Sequence, residues 1–216
     1  MAAPKNIHIE LENQWVRAFR EHMDPHGILP MHSHPAPGAV IVLLTARDNR
    51  LTPEHGAPQE MRNGAGEVMW AAPSVHKGEN LLDKPFEAVQ IEPRQPAGTS
   101  AAHFVVDKTD ATVVDPQHYH VELENQYVRV LRVEIGPHEK LKMHTHPQTG
   151  AVLVQLTDQN LRLTSADGTS RASKYSAGQV RWVDPPATAH QDENLSDQPL
   201  EFIRVELKYA AGDARR

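Results

Sequence analysis

The sequence contains no cysteine, which excludes disulfides, thiolate metal ligands and a cysteine nucleophile. It has no basic excess: 22 Lys and Arg against 28 Asp and Glu give a formal net charge of -6. No cluster of Lys and Arg stands out, so the electrostatic footprint of a nucleic-acid binder is missing. No apolar run approaches the length that crosses a membrane, and no segment keeps a helical period over three turns. The opening Met1-Ala2-Ala3-Pro4-Lys5-Asn6 has no apolar core of the signal-peptide kind. The expectation is a cytoplasmic protein, although the lack of cysteine is equally compatible with a periplasmic one.

Histidine, by contrast, is abundant: 14 in 216 residues. Met31-His32-Ser33-His34-Pro35 returns as Met143-His144-Thr145-His146-Pro147, with a glycine three residues after each proline (Gly38, Gly150). The repetition extends much further. Glu10-Leu11-Glu12-Asn13-Gln14 recurs from Glu122, an offset of 112 (122 − 10), which also carries Arg17 to Arg129 and Trp70 to Trp182. Beyond the tryptophans the offset becomes 114 (190 − 76), matching His76-Lys77-Gly78-Glu79-Asn80 with His190-Gln191-Asp192-Glu193-Asn194. Nearly the whole chain is a tandem duplication.

Each copy reads as short strands punctuated by glycine and proline. Val128–Ile135, Ala151–Leu156, Asn160–Thr164, Gly178–Val183 and Leu200–Leu207 are expected strands, with a hairpin turn at Asp167-Gly168. In the first copy, Ala39–Leu44, Glu67–Trp70 and Phe86–Ile91 correspond. This pattern predicts an all-β sandwich or barrel. Residues 1–95 and 118–216 are expected to form the two domains. The join at 96–117 combines the linker-like Pro96-Ala97-Gly98 with strand pieces at His103–Val106 and Thr112–Val114. The tail from Ala210 to Arg216 is expected to fray.

Alternate side chains of a strand share a face, so both histidines of each H-x-H pair aim the same way, as two ligands of one ion would. With the third histidine downstream, the candidate metal ligands are His32, His34 and His76, and His144, His146 and His190.

These motifs resemble those of the cupins, and the chain as a whole resembles a bicupin. The family pattern is H-x-H with a glutamate four residues on, then P-x-G-x-x-H-x-x-x-N. Here the second motif falls on Pro73-Ser74-Val75-His76 with Asn80, and on Pro185-Pro186-Ala187-Thr188-Ala189-His190 with Asn194. Within the family, the stretch from His190 to Asp197 is similar to small single-cupin proteins grouped around β-alanine degradation. The resemblance implies two tandem jelly-roll (double-stranded β-helix) barrels, and one divalent transition metal per barrel: iron first, with Zn, Ni, Cu or Mn as alternatives. The family's glutamate falls on Gly38 and Gly150, so the expectation is a neutral three-histidine site with open positions. The first copy also shortens its second motif by two residues.

Family members with such sites include dioxygenases, which makes an oxidoreductase on a small anionic or enolisable substrate the leading reading. A binding or sensing module, and metal-assisted hydrolase, lyase or isomerase chemistry, use the same ligands. Glu79 and Glu193 are candidates for a general base or for holding a ligand imidazole, or are surface turn residues. Arg17 and Arg129 either face the cavity to pair with an anionic substrate or lie on a solvated strand face. Trp70 and Trp182 fill the core or wall the pocket. The expected partners are a small-molecule substrate and, in a homodimer, a second copy; neither nucleic acid nor membrane is expected.

Overall fold

The computed structural model describes residues 6–95, 99–101, 104–185 and 187–211. Pro96-Ala97-Gly98 of the expected linker, His103, Pro186 and the tail from residue 212 lie outside the described residues. The chain divides between Arg94 and Gln95 into two units.

The first unit contains β1 (Ile7–Glu12), β2 (Val16–Met23), β3 (Ile28–His34), β4 (Ala39–Leu43) and β5 (Arg47–Pro53). It continues with β6 (Gln59–Asn63), β7 (Val68–Ala71), β8 (Ser74–Asn80) and β9 (Phe86–Pro93). They form two antiparallel sheets, in the orders β1-β2-β9-β4-β7 and β3-β8-β5-β6. The second unit opens with β10 (Thr99–Ser100), a one-turn helix α1 (Ala111–Val114), β11 (Tyr119–Glu124), β12 (Val128–Ile135) and β13 (Ala151–Gln155). Then come β14 (Gln159–Ser165), β15 (Ser170–Tyr175), β16 (Val180–Val183), β17 (His190–Asn194), β18 (Leu200–Leu207) and β19 (Ala210–Ala211). Its sheets run β11-β12-β18-β13-β16 and β15-β14-β17, with β10 paired to β19. The all-β, duplicated architecture expected from the sequence is present.

Two local expectations change. Thr112-Val113-Val114 is helical instead of extended, because Asp110 accepts from the Thr112 backbone N–H and caps the turn. A capped turn overrides the β preference of three branched residues. The segment from Phe104 to Tyr119 also belongs to the second unit, where the Asp110 and Thr145 backbones bridge in parallel. Tyr119, at its end, matches Ile7, where β1 of the first copy begins.

Burial follows strand alternation. In β12, Leu131, Val133 and Ile135 point inward and join Leu141, Leu153, Leu200 and Phe202 in one continuous core. The first unit's interior falls into two smaller groups, around Ile41 and Leu43 and around Met23, Leu29 and Phe86. A cavity of 350 Å³ touches both of these groups.

The asparagine closing each second motif fixes the turn behind the third histidine. Asn194 is fully buried; its amide donates to the carbonyls of Ile135, Gly136 and Gln198, and its oxygen accepts from Ser196 N–H. Asn80 repeats this with Met23, Asp24, Lys84 and Leu82. Truncating Asn194 to alanine strands several buried backbone groups. Asn194→Ala is expected to lose about 3 kcal/mol of stability, read as a lower urea midpoint at unchanged m-value; an unshifted midpoint contradicts this role.

Candidate metal centres

In the first unit, His32 and His34 share one face of β3, and His76 sits directly across from His32 on β8. Their ring centroids lie 4.7–4.8 Å apart. The Nδ1 atoms face outward to fixed partners: His32 to the Pro30 carbonyl at 2.8 Å, and His76 to Ser74 Oγ at 3.0 Å. His34 Nδ1 meets the Gln90 amide at 2.7 Å. That amide can serve either tautomer of the ring, donating through its NH₂ or accepting through its oxygen. The Nε2 atoms turn inward, those of His32 and His34 to within 2.9 Å. Two imidazoles on adjacent positions of one ion, at about 2.1 Å each, stand about 3 Å apart, so the donor set fits a transition metal.

The second triad is more deeply set. His144 is fully buried, His146 nearly so, and the backbones of His144 and His190 bridge at 2.8 and 2.9 Å. His144 Nδ1 is held by the Lys142 carbonyl at 2.8 Å. His146 Nδ1 lies 3.1 Å from Glu206 Oε1, close enough for attraction though not aligned as a hydrogen bond. In each triad the candidate ligand atoms lie within 4.8 Å of one another.

The interiors diverge at matched positions. Ile7, Gly78 and Gln90 of the first unit become Tyr119, Asp192 and Arg204 in the second, and Met69 becomes Arg181. Tyr119 Oη lies 2.9 Å from His144 Nε2. Arg204 donates to Glu206. Burial alone would raise the Glu206 carboxyl, but His146, Arg204 and Arg129 hold it ionised, well below the usual carboxylate range. Asp192 is pushed up by burial, against the pull of His144, Arg181 and Arg204.

The first cavity is lined mainly by Met23, Leu29, Ile41, Leu51, Met61 and Phe86, besides the three histidines. Glu21 and Arg47 also line it; burial holds the Glu21 carboxyl above its ordinary range, while Arg47 and His32 pull it down. Glu21 stands where the second copy has the core residue Val133, and that mismatch between the repeats was the signal that marked it.

Glu79 and Glu193 were expected as catalytic carboxylates. Three residues is an odd step along a strand, which turns each side chain away from the third histidine. Glu79 pairs across the sheet with Arg50 and Glu193 with Arg162, while Glu79 also borders the first cavity. Arg129 does point inward, but its guanidinium is engaged by Asp110 in bidentate fashion and by Glu206 at 2.7 Å. The upstream segment supplies the anion that a substrate was expected to bring. Arg17 is paired with Glu92 at 2.9 Å and remains about a third exposed beside a second cavity of 310 Å³ that also reaches His32 and His34.

The structure also explains the missing glutamate. A Cβ at Gly150 would collide with the Trp182 indole, and one at Gly38 with the Ala71 carbonyl and Trp70. Each tryptophan covers the position from which the family's fourth ligand would reach.

No protein-family model matches the chain, and no curated protein sequence does either. Solved structures do match. AerE from Microcystis aeruginosa is 14% identical, covering 96% of this chain and 95% of that one, with a TM-score of 0.63. Procruciferin, the 11S globulin of Brassica napus, is 11% identical over 88% of this chain and 75% of that one, with a TM-score of 0.60. Oxalate decarboxylase from Bacillus subtilis, a protein with Mn(II) centres, is 14% identical over 98% and 76%, with a TM-score of 0.58. The likeness is one of fold, and the fold is that of the cupins.

Two tests follow from this geometry. Burial, then neighbouring charges, lowers His34, His144 and His190 from 6.5 to about 4. Between those values the unfolded chain binds protons that the folded chain refuses, so stability falls on acidification through that window. His118, raised by Asp115 and Glu139 in spite of its burial, and the raised carboxyls Glu21 and Asp192 work in the opposite sense. They are three groups against the five lowered histidines, His76 and His146 included. The melting temperature of chelator-treated protein is expected to drop steadily below about pH 6.5; a flat profile down to pH 4 contradicts the buried neutral histidines. Separately, Gly150→Ala is expected to cost about 1–3 kcal/mol by forcing Trp182 aside, and wild-type stability in that variant disproves the clash.

Proposed function

We propose that the chain is a three-histidine metal enzyme whose working centre is the first barrel, acting as a dioxygenase-type oxidoreductase on a small enolisable substrate. The observation that carries this reading is the set of three imidazoles, anchored through their outer nitrogens, whose inner nitrogens converge beside a 350 Å³ cavity. His32, His34 and His76 hold the ion. A divalent iron there supplies Lewis acidity and one-electron redox chemistry.

The remaining roles belong to the chain's own residues. The walls from Met23 to Phe86 receive an apolar body and exclude water from the reacting carbon. Arg47, on the same lining, offsets the negative charge that develops as an enol loses its proton. Glu21 takes that proton: a carboxyl held above its ordinary range by burial is a stronger base than a solvated one. Gln90 keeps the His34 ring in register through Nδ1. The second triad holds a metal of its own in a more charged and less apolar setting.

Elemental analysis of untagged protein purified with and without air is the direct test. About two first-row ions per chain are expected, falling to about one in either His34→Ala or His144→Ala. Oxygen uptake by the iron-loaded protein should then appear with a panel of β-diketones and small thiols, and be abolished by His34→Ala and reduced at least tenfold by Glu21→Gln. Metal in neither preparation, with none taken up on reconstitution, removes the enzyme reading and leaves a ligand-binding barrel.

A further inference from the structure

Tyr119 occupies the second centre in a way that nothing in the first centre matches. It enters at the start of β11, is 3% exposed, and packs its ring centroid 5.0 Å from that of His144 and 5.9 Å from that of His146. The Lys142 carbonyl, 2.8 Å from His144 Nδ1, fixes the proton on that nitrogen and leaves the Nε2 lone pair directed inward. Tyr119 Oη lies 2.9 Å from Nε2 and donates its hydrogen to that lone pair. The phenol hydroxyl therefore lies along the direction in which His144 must bind an ion. His144 is its hydrogen-bond partner among the described residues.

An ion engaging Nε2 consumes the lone pair that accepts the phenol's hydrogen. The hydroxyl is then buried without a partner, an outcome that folded proteins avoid, unless its oxygen turns to the same ion. We propose that Tyr119 is a fourth ligand of the metal held by His144, His146 and His190. This inference rests on the reading that the triad binds metal. Burial, with the carboxyl groups of Asp192, Asp115 and Glu206 nearby, holds the phenol proton on well above the ordinary tyrosine range. The ion itself would therefore have to displace it: the O–H bond breaks as a metal–oxygen bond forms, the proton leaves to the buffer, and no electrons are transferred.

The anionic oxygen joins Glu206, already held ionised beside His146 and paired with Arg204, as a second negative charge at this centre. A hard, charged ligand favours a hard, highly charged ion, so the second centre takes the trivalent state in preference to the divalent one. The first centre has Ile7 at the matched position and offers no such oxygen. The two barrels therefore hold chemically distinct metals: an open three-nitrogen site and a site with three nitrogens and one phenolate.

The test is to load ferric iron into the wild-type chain, His34→Ala and Tyr119→Phe, and to record iron content and visible spectrum on the same samples. A phenolate-to-iron charge-transfer band is expected in the wild type and in His34→Ala. The band should vanish in Tyr119→Phe while iron content stays at the wild-type level. Resonance Raman excitation within the band should return phenolate ring modes. Iron bound in His34→Ala without a band, or a band that persists in Tyr119→Phe, overturns the proposal. So does the absence of iron from His34→Ala when the wild type binds it, a result that leaves the first centre intact. Iron in none of the three would instead remove the metal-centre reading altogether. If Tyr119→Phe fails to fold by circular dichroism, the Raman spectrum of His34→Ala decides alone.

Discussion

Everything at these two centres depends on the alternation of side chains along a strand. Because residues two apart share a face, His32 and His34 reach one point, and the strand paired opposite brings His76 to the same point. The second unit repeats this with two isolated bridges, His144 to His190 and Lys140 to Glu193, in place of a continuous ladder. A one-residue slip in either pairing would send an imidazole to solvent. The Nδ1 contacts to backbone and side-chain partners then fix each ring's rotation. Pairing register sets which residues meet, and these contacts set which atoms meet.

The sequence carried the fold and the triads openly, since both are written as spacing: period two in the strands, H-x-H in the ligands, and a repeat offset linking the copies. It carried the surrounding groups poorly. Glu79 and Glu193 drew attention by proximity in sequence, yet an odd step along a strand turns them toward Arg50 and Arg162, with Glu79 still bordering the first cavity. Of its two readings Arg129 took the inward one, but it found its carboxylate in Asp110, from a segment that looked like linker. The residues that border the two histidine triads, Glu21, Tyr119 and Asp192, share no motif. What distinguishes them is disagreement between the copies, where Val133, Ile7 and Gly78 stand instead.

That disagreement has a physical content. One interior is broken by a largely apolar cavity whose lining also carries Glu21 and Arg47, with the neutral Gln90 amide at His34. The other has a continuous core and crowds Asp192, Arg204, Glu206 and Tyr119 around its histidines. Arg204, Glu206 and Arg129 persist as buried charges because they are paired, Arg204 with Glu206 and Glu206 in turn with Arg129 and His146, while burial pushes Asp192 toward its neutral form. Removing one member exposes the next, so the second interior tolerates change less readily than the first. A duplicated gene product has kept one ligand set and built two dielectric environments around it.

The indole over each ligand-face glycine has an evolutionary consequence. A carboxylate cannot be introduced at position 150 while Trp182 remains, because even a methyl group there collides with the ring. Shrinking Trp182 first leaves a void and exposes the centre before any new ligand exists to fill it. Each single step is harmful and only the pair is productive, which is sign epistasis at the scale of two residues. A three-histidine form is thereby held apart from one with a carboxylate at this position by a fitness valley, and both halves of this chain lie on the same side of it.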